Sequence, residues 1–168
     1  YESLKSAYDA CFSGLLRSGI NLYKQGDDDR FSLLEKFKKD IHSVLFGTYS
    51  FWEGVDVPGD ALSHVIIVKL PFGVPSDPVF AARSEAITKR GGSSFMELSV
   101  PEAVIKFRQG FGRLMRKSTD KGVVTILDKR LVTKRYGSIF LISIPHTKVC
   151  YESISLICSK IQNLLDTN

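Results

Sequence analysis

The sequence predicts a three-layer α/β domain, a parallel sheet with helices on both faces, and two observations carry that prediction. Short strands alternate with helical stretches along the chain, and the strands are apolar runs that no polar residue interrupts. A third observation bounds it: 168 residues with 43% hydrophobic content make one domain with an ordinary core.

In order, residues 2–17 read as a helix whose apolar stripe is Leu4, Ala7, Tyr8, Cys11 and Leu15. Ile20 to Lys24 is a short strand, closed by Gln25-Gly26. Asp27, Asp28 and Asp29 precede Phe31, Leu33, Leu34 and Phe37, which places the acids in the first turn of a second helix. The positive end of the helix dipole accounts for them more simply than a metal does. Val44 to Thr48 is the next strand and runs into segment 49–59. His64 to Leu70, centred on Val65-Ile66-Ile67-Val68, is expected to be a strand buried on both faces. A loop follows from Pro71 to Pro78, then a helix from about Val79 to Lys89 and a Gly91-Gly92-Ser93-Ser94 break.

The long helix is expected from Ser99 to Arg116, with Ser99 as cap, Glu102 at the capping-box position and Pro101 in the first turn. Gly122 to Leu127 is an apolar strand entering Asp128-Lys129-Arg130. A short basic helix, a strand near Ser138–Ile144 and a helix from about Lys148 to Leu165 complete the chain, with no internal repeat or long linker.

A net charge of +5 permits a polyanionic partner without establishing one. No apolar run reaches the length of a membrane span, and no signal-peptide pattern is present. Cys11, Cys150 and Cys158 form no Cys-x-x-Cys pair, which fits buried thiols in a reducing compartment. With His42, His64 and His146 they make no metal-ligand set.

The long helix carries the chemistry. At about 100° per residue, Val104, Phe107, Phe111 and Leu114 gather on one side, and Gln109, Arg113 and Arg116 lie opposite, within about 60° of one another. Gly110 and Gly112 each cost a helix roughly 1 kcal/mol against Ala. Gly112 lies beside the arginine face, where a missing side chain lets a ligand come close. Further candidates lie in segments that follow strands, where ligands of such sheets bind. Glu53-Gly54-Val55-Asp56 offers two carboxylates across a glycine turn, able to accept from ribose hydroxyls or to orient a metal-bound water.

The pattern Gln-x-x-Gly-Arg-x-x-Arg over 109–116 resembles motif VI of superfamily 2 helicases. Together with segment 46–56, Leu70-Pro71-Phe72 and the run from Lys121-Gly122 to Asp128-Lys129-Arg130, it resembles the DinG branch of the XPD-like superfamily 2 helicases, from about Tyr1 to Pro145. The resemblance implies a second motor domain of RecA-like, P-loop NTPase type that carries motifs V and VI, with the strand of motif IV lying before Tyr1. No Gly-x-x-x-x-Gly-Lys-[Ser/Thr] loop and no Asp-Glu-x-His occur, so the domain lacks its own P-loop.

The resemblance implies ATP and Mg²⁺ held mainly by a first motor domain, to which any iron–sulfur cluster also belongs, and a half-site that is inactive alone. It implies Arg116 as arginine finger with Arg113 beside it, Gln109 as sensor of the nucleotide or its attacking water, and Gly112, Glu53, Gly54 and Asp56 on the nucleotide side. Thr48, Tyr49 and Ser50 are DNA-side candidates that would donate to phosphates. Phe72, with Phe95 and Trp52, could stack on bases or pack in the core. Lys129 and Arg130, like Lys89-Arg90 and Lys134-Arg135, could follow a phosphate backbone. The partners implied are single-stranded DNA and the first motor domain of the same polypeptide, with no membrane and no oligomer. The expected place is the bacterial cytoplasm, at the nucleoid.

Two rivals come from other classes. In a dinucleotide-binding domain Gly110-Phe111-Gly112 would begin a G-x-G-x-x-G, but Met115 replaces the last glycine and a helix precedes it. A RecA-like module that grips DNA or a protein without ATP chemistry is the other, and an intact Gln-x-x-Gly-Arg-x-x-Arg argues against it.

Overall fold

The structure, a computed structural model, describes residues 2–52, 57, 61–74, 76–114 and 122–165, leaving aside the side chains of Ser50 and Trp52. Helix α1 (Glu2–Arg17) leads into strand β1 (Asn21–Lys24), helix α2 (Arg30–Lys39) and strand β2 (Ser43–Phe46). After a 3-10 turn (Tyr49–Trp52) come β3 (His64–Ile67), α3 (Pro78–Lys89), a π-helical turn (Phe95–Ser99) and α4 (Val100–Leu114). The remainder is β4 (Val123–Ile126), α5 (Arg130–Thr133), α6 (Gly137–Ile142) and α7 (Ile154–Leu165).

Every strand pairing is parallel, as the alternating pattern predicts. Among the described residues the strands form two two-stranded sheets: β1 beside β2 with Asn21 opposite Ser43, and β3 beside β4 with His64 opposite Val123. The first pair carries a helix on each face. Leu33, Leu34 and Phe37 of α2 pack on Tyr23 and Leu45, while Tyr8 of α1 meets Phe46 edge-on at 5.5 Å between ring centroids.

The second pair is buried on one face only, which corrects the expectation for His64 to Leu70. Val65, Ile67, Val124 and Ile126 join Val100, Ala103 and Phe107 of α4 and Phe140 of α6 in the main core. On the opposite face Ile66 is 54% and Val68 55% exposed.

Local chemistry explains the boundaries. Asp29 is the cap of α2 and accepts from the N–H groups of Phe31 and Ser32 at 3.0 and 3.1 Å, so the three acids precede the helix instead of filling its first turn. Asp77 caps α3 through the Phe80 N–H at 2.8 Å, with Pro78 at the first position. The capping box expected at Ser99 is built at Ser93. Its hydroxyl accepts from the Met96 N–H at 3.3 Å, and Glu97 reaches back to the Ser93 N–H at 3.0 Å. The π-helical turn then continues into α4, so Ser99 lies inside the helical run and Glu102 is left to pair with Arg83 at 2.6 Å.

The strand expected near Ser138–Ile144 is helix α6. Gly137 and Phe140 are buried and Leu141 and Ile144 half-buried, a spacing of three and four that belongs to a helix. A short apolar run does not distinguish the two periods until its packing partner is known. The three cysteines are exposed, against the expectation of buried thiols. No helix among the described residues is long and apolar enough to cross a membrane.

Candidate functional site

Helix α4 is amphipathic in the sense the sequence predicts. Val100, Ala103, Phe107, Phe111 and Leu114 are buried, Phe107 and Ala103 completely. The opposite face presents Glu102, Lys106, Gln109 and Arg113, spaced by three or four residues. Gln109 is exposed, and Arg113 is half-buried with its Nε withdrawn from solvent. Gly112 is exposed, its φ is not positive, and a Cβ added there would meet nothing within 4 Å. Nothing among the described residues requires glycine at that position. An open backbone beside a glutamine and a guanidinium fits an approaching phosphate. Arg116, the third member of the face, lies outside the described residues, as do Glu53, Gly54 and Asp56.

The segment after β2 packs beside this helix. Its backbone is held from two sides. The Thr48 N–H and hydroxyl both donate to Gln25 Oε1, at 2.8 and 3.0 Å. Arg30 donates to the Phe51 carbonyl at 3.2 Å, and its guanidinium lies 5.4 Å from the Phe51 ring centroid. Phe51 is buried with Leu33, Leu34, Phe37 and Val57. The Thr48 hydroxyl, expected to donate to a DNA phosphate, here donates inward. Tyr49 faces α4, and the Lys106 ammonium sits 4.5 Å from its ring centroid. The Ser50 side chain is not described.

The third cluster joins the segments that leave β3 and β4. Phe72 stacks on Phe95 at 5.7 Å and meets Tyr136 and Phe140 edge-on at 5.7 and 5.9 Å. Of its two sequence readings, base stacking and core packing, the geometry places it in an aromatic cluster at the rim of the core. Arg130 is also engaged internally, 5.2 Å from the Phe72 centroid and forked onto Asp128, with the shorter bond 2.6 Å. Asp128 further accepts from the Leu70 N–H at 2.9 Å and the Arg130 N–H at 3.0 Å. Its side chain is only 7% exposed. The Arg130 hydrogen bonds, with the two backbone donors, hold its pKa down at about 2 against the opposing effect of burial. Arg130 is thereby a structural clasp, and Lys129 beside it is exposed.

His64, half-buried on β3, bonds Thr125 Oγ1 across the sheet at 2.8 Å, and burial lowers its pKa. Among the described residues no group of three or more His, Cys, Asp or Glu side chains is placed to hold a metal ion.

Two contributors were missed from sequence, Gln25 and Lys106, and Asp128 was given no role of its own. Lys106 was within reach, since it lies one turn before Gln109 on the same helix face. Gln25 and Asp128 act across loops, at separations of 23 and 58 residues, which a local pattern does not reveal.

Residues 1–147 match the family described as Helicase C-terminal domain. The chain is 52% identical over 131 residues to the ATP-dependent DNA helicase YoaA of Haemophilus influenzae, covering 78% of this chain and 20% of that protein. It is 44% identical over 151 residues to the 3'-5' exonuclease DinG of Bacillus subtilis (89% and 16%) and 43% over 145 residues to the ATP-dependent helicase DinG of Mycobacterium tuberculosis (86% and 22%). The chain spans about a fifth of the length of these relatives. On the extent of that match, with the RecA-like fold it implies, the chain belongs to the Helicase C-terminal domain family.

Proposed function

We propose that this domain is the second half of an ATP-dependent DNA helicase motor, and that it supplies the motif V segment and the motif VI arginines to an ATP site shared with a first motor domain. The observation that carries the reading is the face of α4, where Gln109 and Arg113 stand beside a glycine with open space before it. ATP, the substrate, would bring the phosphoanhydride bond whose cleavage drives movement, and Mg²⁺ would be held mainly by the partner domain. This chain's part is counter-charge: Arg113 and Arg116 meet phosphate oxygens with planar forks that lysine does not reproduce, and Gln109 orients against the nucleotide or its attacking water. Glu53, Gly54 and Asp56 belong to the nucleotide side, the two carboxylates as acceptors.

Tyr49, Ser50 and Lys129 form the DNA side, with single-stranded DNA as partner. The β1–β2 and β3–β4 pairs belong to one RecA-like sheet with three layers, and the domain alone does not hydrolyse ATP. Relatives named as ATP-dependent helicases support the reading.

The test is Arg116→Ala in the full-length protein. Turnover of ATP should fall roughly 10³-fold or more with DNA binding retained. Near-normal turnover would remove the assignment. Activity that appears only when this domain is joined to the first one would separate a motor half from a non-catalytic binding module.

A further inference from the structure

Between the 3-10 turn, the loop after β3, α3 and α4 lies a groove of about 360 Å³, lined in part by Tyr49, Asp77, Phe80, Arg83, Glu102 and Lys106. Most of its charged groups are committed. Asp77 is used by the Phe80 N–H as the cap of α3, and Arg83 and Glu102 pair with each other. Lys106 is different. Among the described residues no carboxylate lies within ion-pair distance of it, and its ammonium rests on the Tyr49 ring. An aromatic face is a weak partner for an ammonium, and an anionic oxygen displaces it readily. Lys106 also stands on the face of α4 that carries Gln109 and Arg113, about 4.5 and 10.5 Å further along the axis at 1.5 Å per residue. The groove and the arginine face are successive stations on one ridge.

We infer that this groove seats one nucleotide of a single strand, with a phosphodiester oxygen on Lys106. As the ammonium turns to the phosphate it uncovers the Tyr49 ring, which is then free to stack on a base. The inference rests on the DNA-side reading above and adds Lys106, which that reading does not include. The same chemistry could meet a phosphate of the nucleotide, so the experiment separates the two sources.

In the full-length protein, the affinity for fluorescent oligo-dT is measured at about 50 and about 200 mM salt. Wild type, Lys106→Ala and Lys106→Arg are compared, with Lys106→Gln replacing the alanine variant if that one misfolds. Loss of one phosphate contact should lower the slope of log affinity against log salt by about 0.7. Over that interval wild-type affinity should therefore fall about 2.6-fold more than that of Lys106→Ala. Lys106→Arg should restore the slope. A purely packing role would weaken binding without moving the slope, and an unchanged slope overturns the inference. A raised KM for ATP with oligo-dT affinity and slope intact would assign the phosphate to the nucleotide and also overturn it. Wild type that binds no oligo-dT at all would instead refute the DNA-side reading itself.

Discussion

Replacing Gly112 by alanine separates what the fold needs from what the ligand needs. Gly112 lies in the helical backbone of α4, and a Cβ built on it meets no atom of the described residues within 4 Å. No steric term therefore opposes the methyl, and the full preference for Ala over Gly inside a helix is about 1 kcal/mol. A gain of about 0.5–1 kcal/mol is therefore expected. In a domain of this size that raises Tm by roughly 1–4 °C. Urea unfolding of the 168-residue chain would show it as a higher midpoint at unchanged slope. The same change in the full-length protein puts a methyl where the phosphate is proposed to approach. Displacing the reacting group by about 1 Å is enough to cost about 10²-fold in turnover. A lowered midpoint would refute the account of the backbone. A raised midpoint with undiminished turnover would refute the claim that a ligand uses the open space.

Two further predictions concern stability. Asp128→Asn should cost roughly 2 kcal/mol at neutral pH, because a drop in pKa from 3.8 to about 2 is worth about 2.4 kcal/mol and the Arg130 partner, 40% exposed, is partly screened. The carboxylate's folded pKa is depressed, so its contribution is full above about pH 5 and fades as pH falls from about 4 toward 2. Unfolding midpoints of wild type and variant at a series of pH values should converge at the acid end, and a constant gap would contradict the clasp. Gly137→Ala would place a Cβ 1.9 Å from the Leu131 carbonyl oxygen, a backbone atom. The α5–α6 junction must then shift, at a cost of about 1–3 kcal/mol in urea unfolding, and a neutral result would show that the two turns are not held as described.

The helices were the most legible part of the chain. Periodicity alone gives α1 its full extent and α4 its two faces, because a stripe of Phe107, Phe111 and Leu114 has only one period that fits. Parallel pairing was readable from unbroken apolar strands, but the depth of burial was not. Val65 and Ile67 face α4 while Ile66 and Val68 face outward, and all four are aliphatic, so no alternation marks the exposed face. Residues 138–144 were misread for the same reason: a short run of Ile, Phe and Leu carries no period until Phe140 finds Phe107. Within the site, Gln109, Arg113 and Gly112 were fixed by helix geometry. The inward bonds of Thr48 and Arg130 were invisible because their acceptors, Gln25 and Asp128, matter through tertiary placement as much as through sequence.

The Asp128 clasp has a mechanical consequence. One carboxylate grips the amide of Leu70 beyond β3 and the guanidinium of Arg130 beyond β4, so the two chain exits are riveted at a common point. A push on the segment beginning at Pro71 is delivered to α5 as well, without a soft joint to absorb it. Anything that leans on this edge meets a stiff ledge instead of two independent flaps.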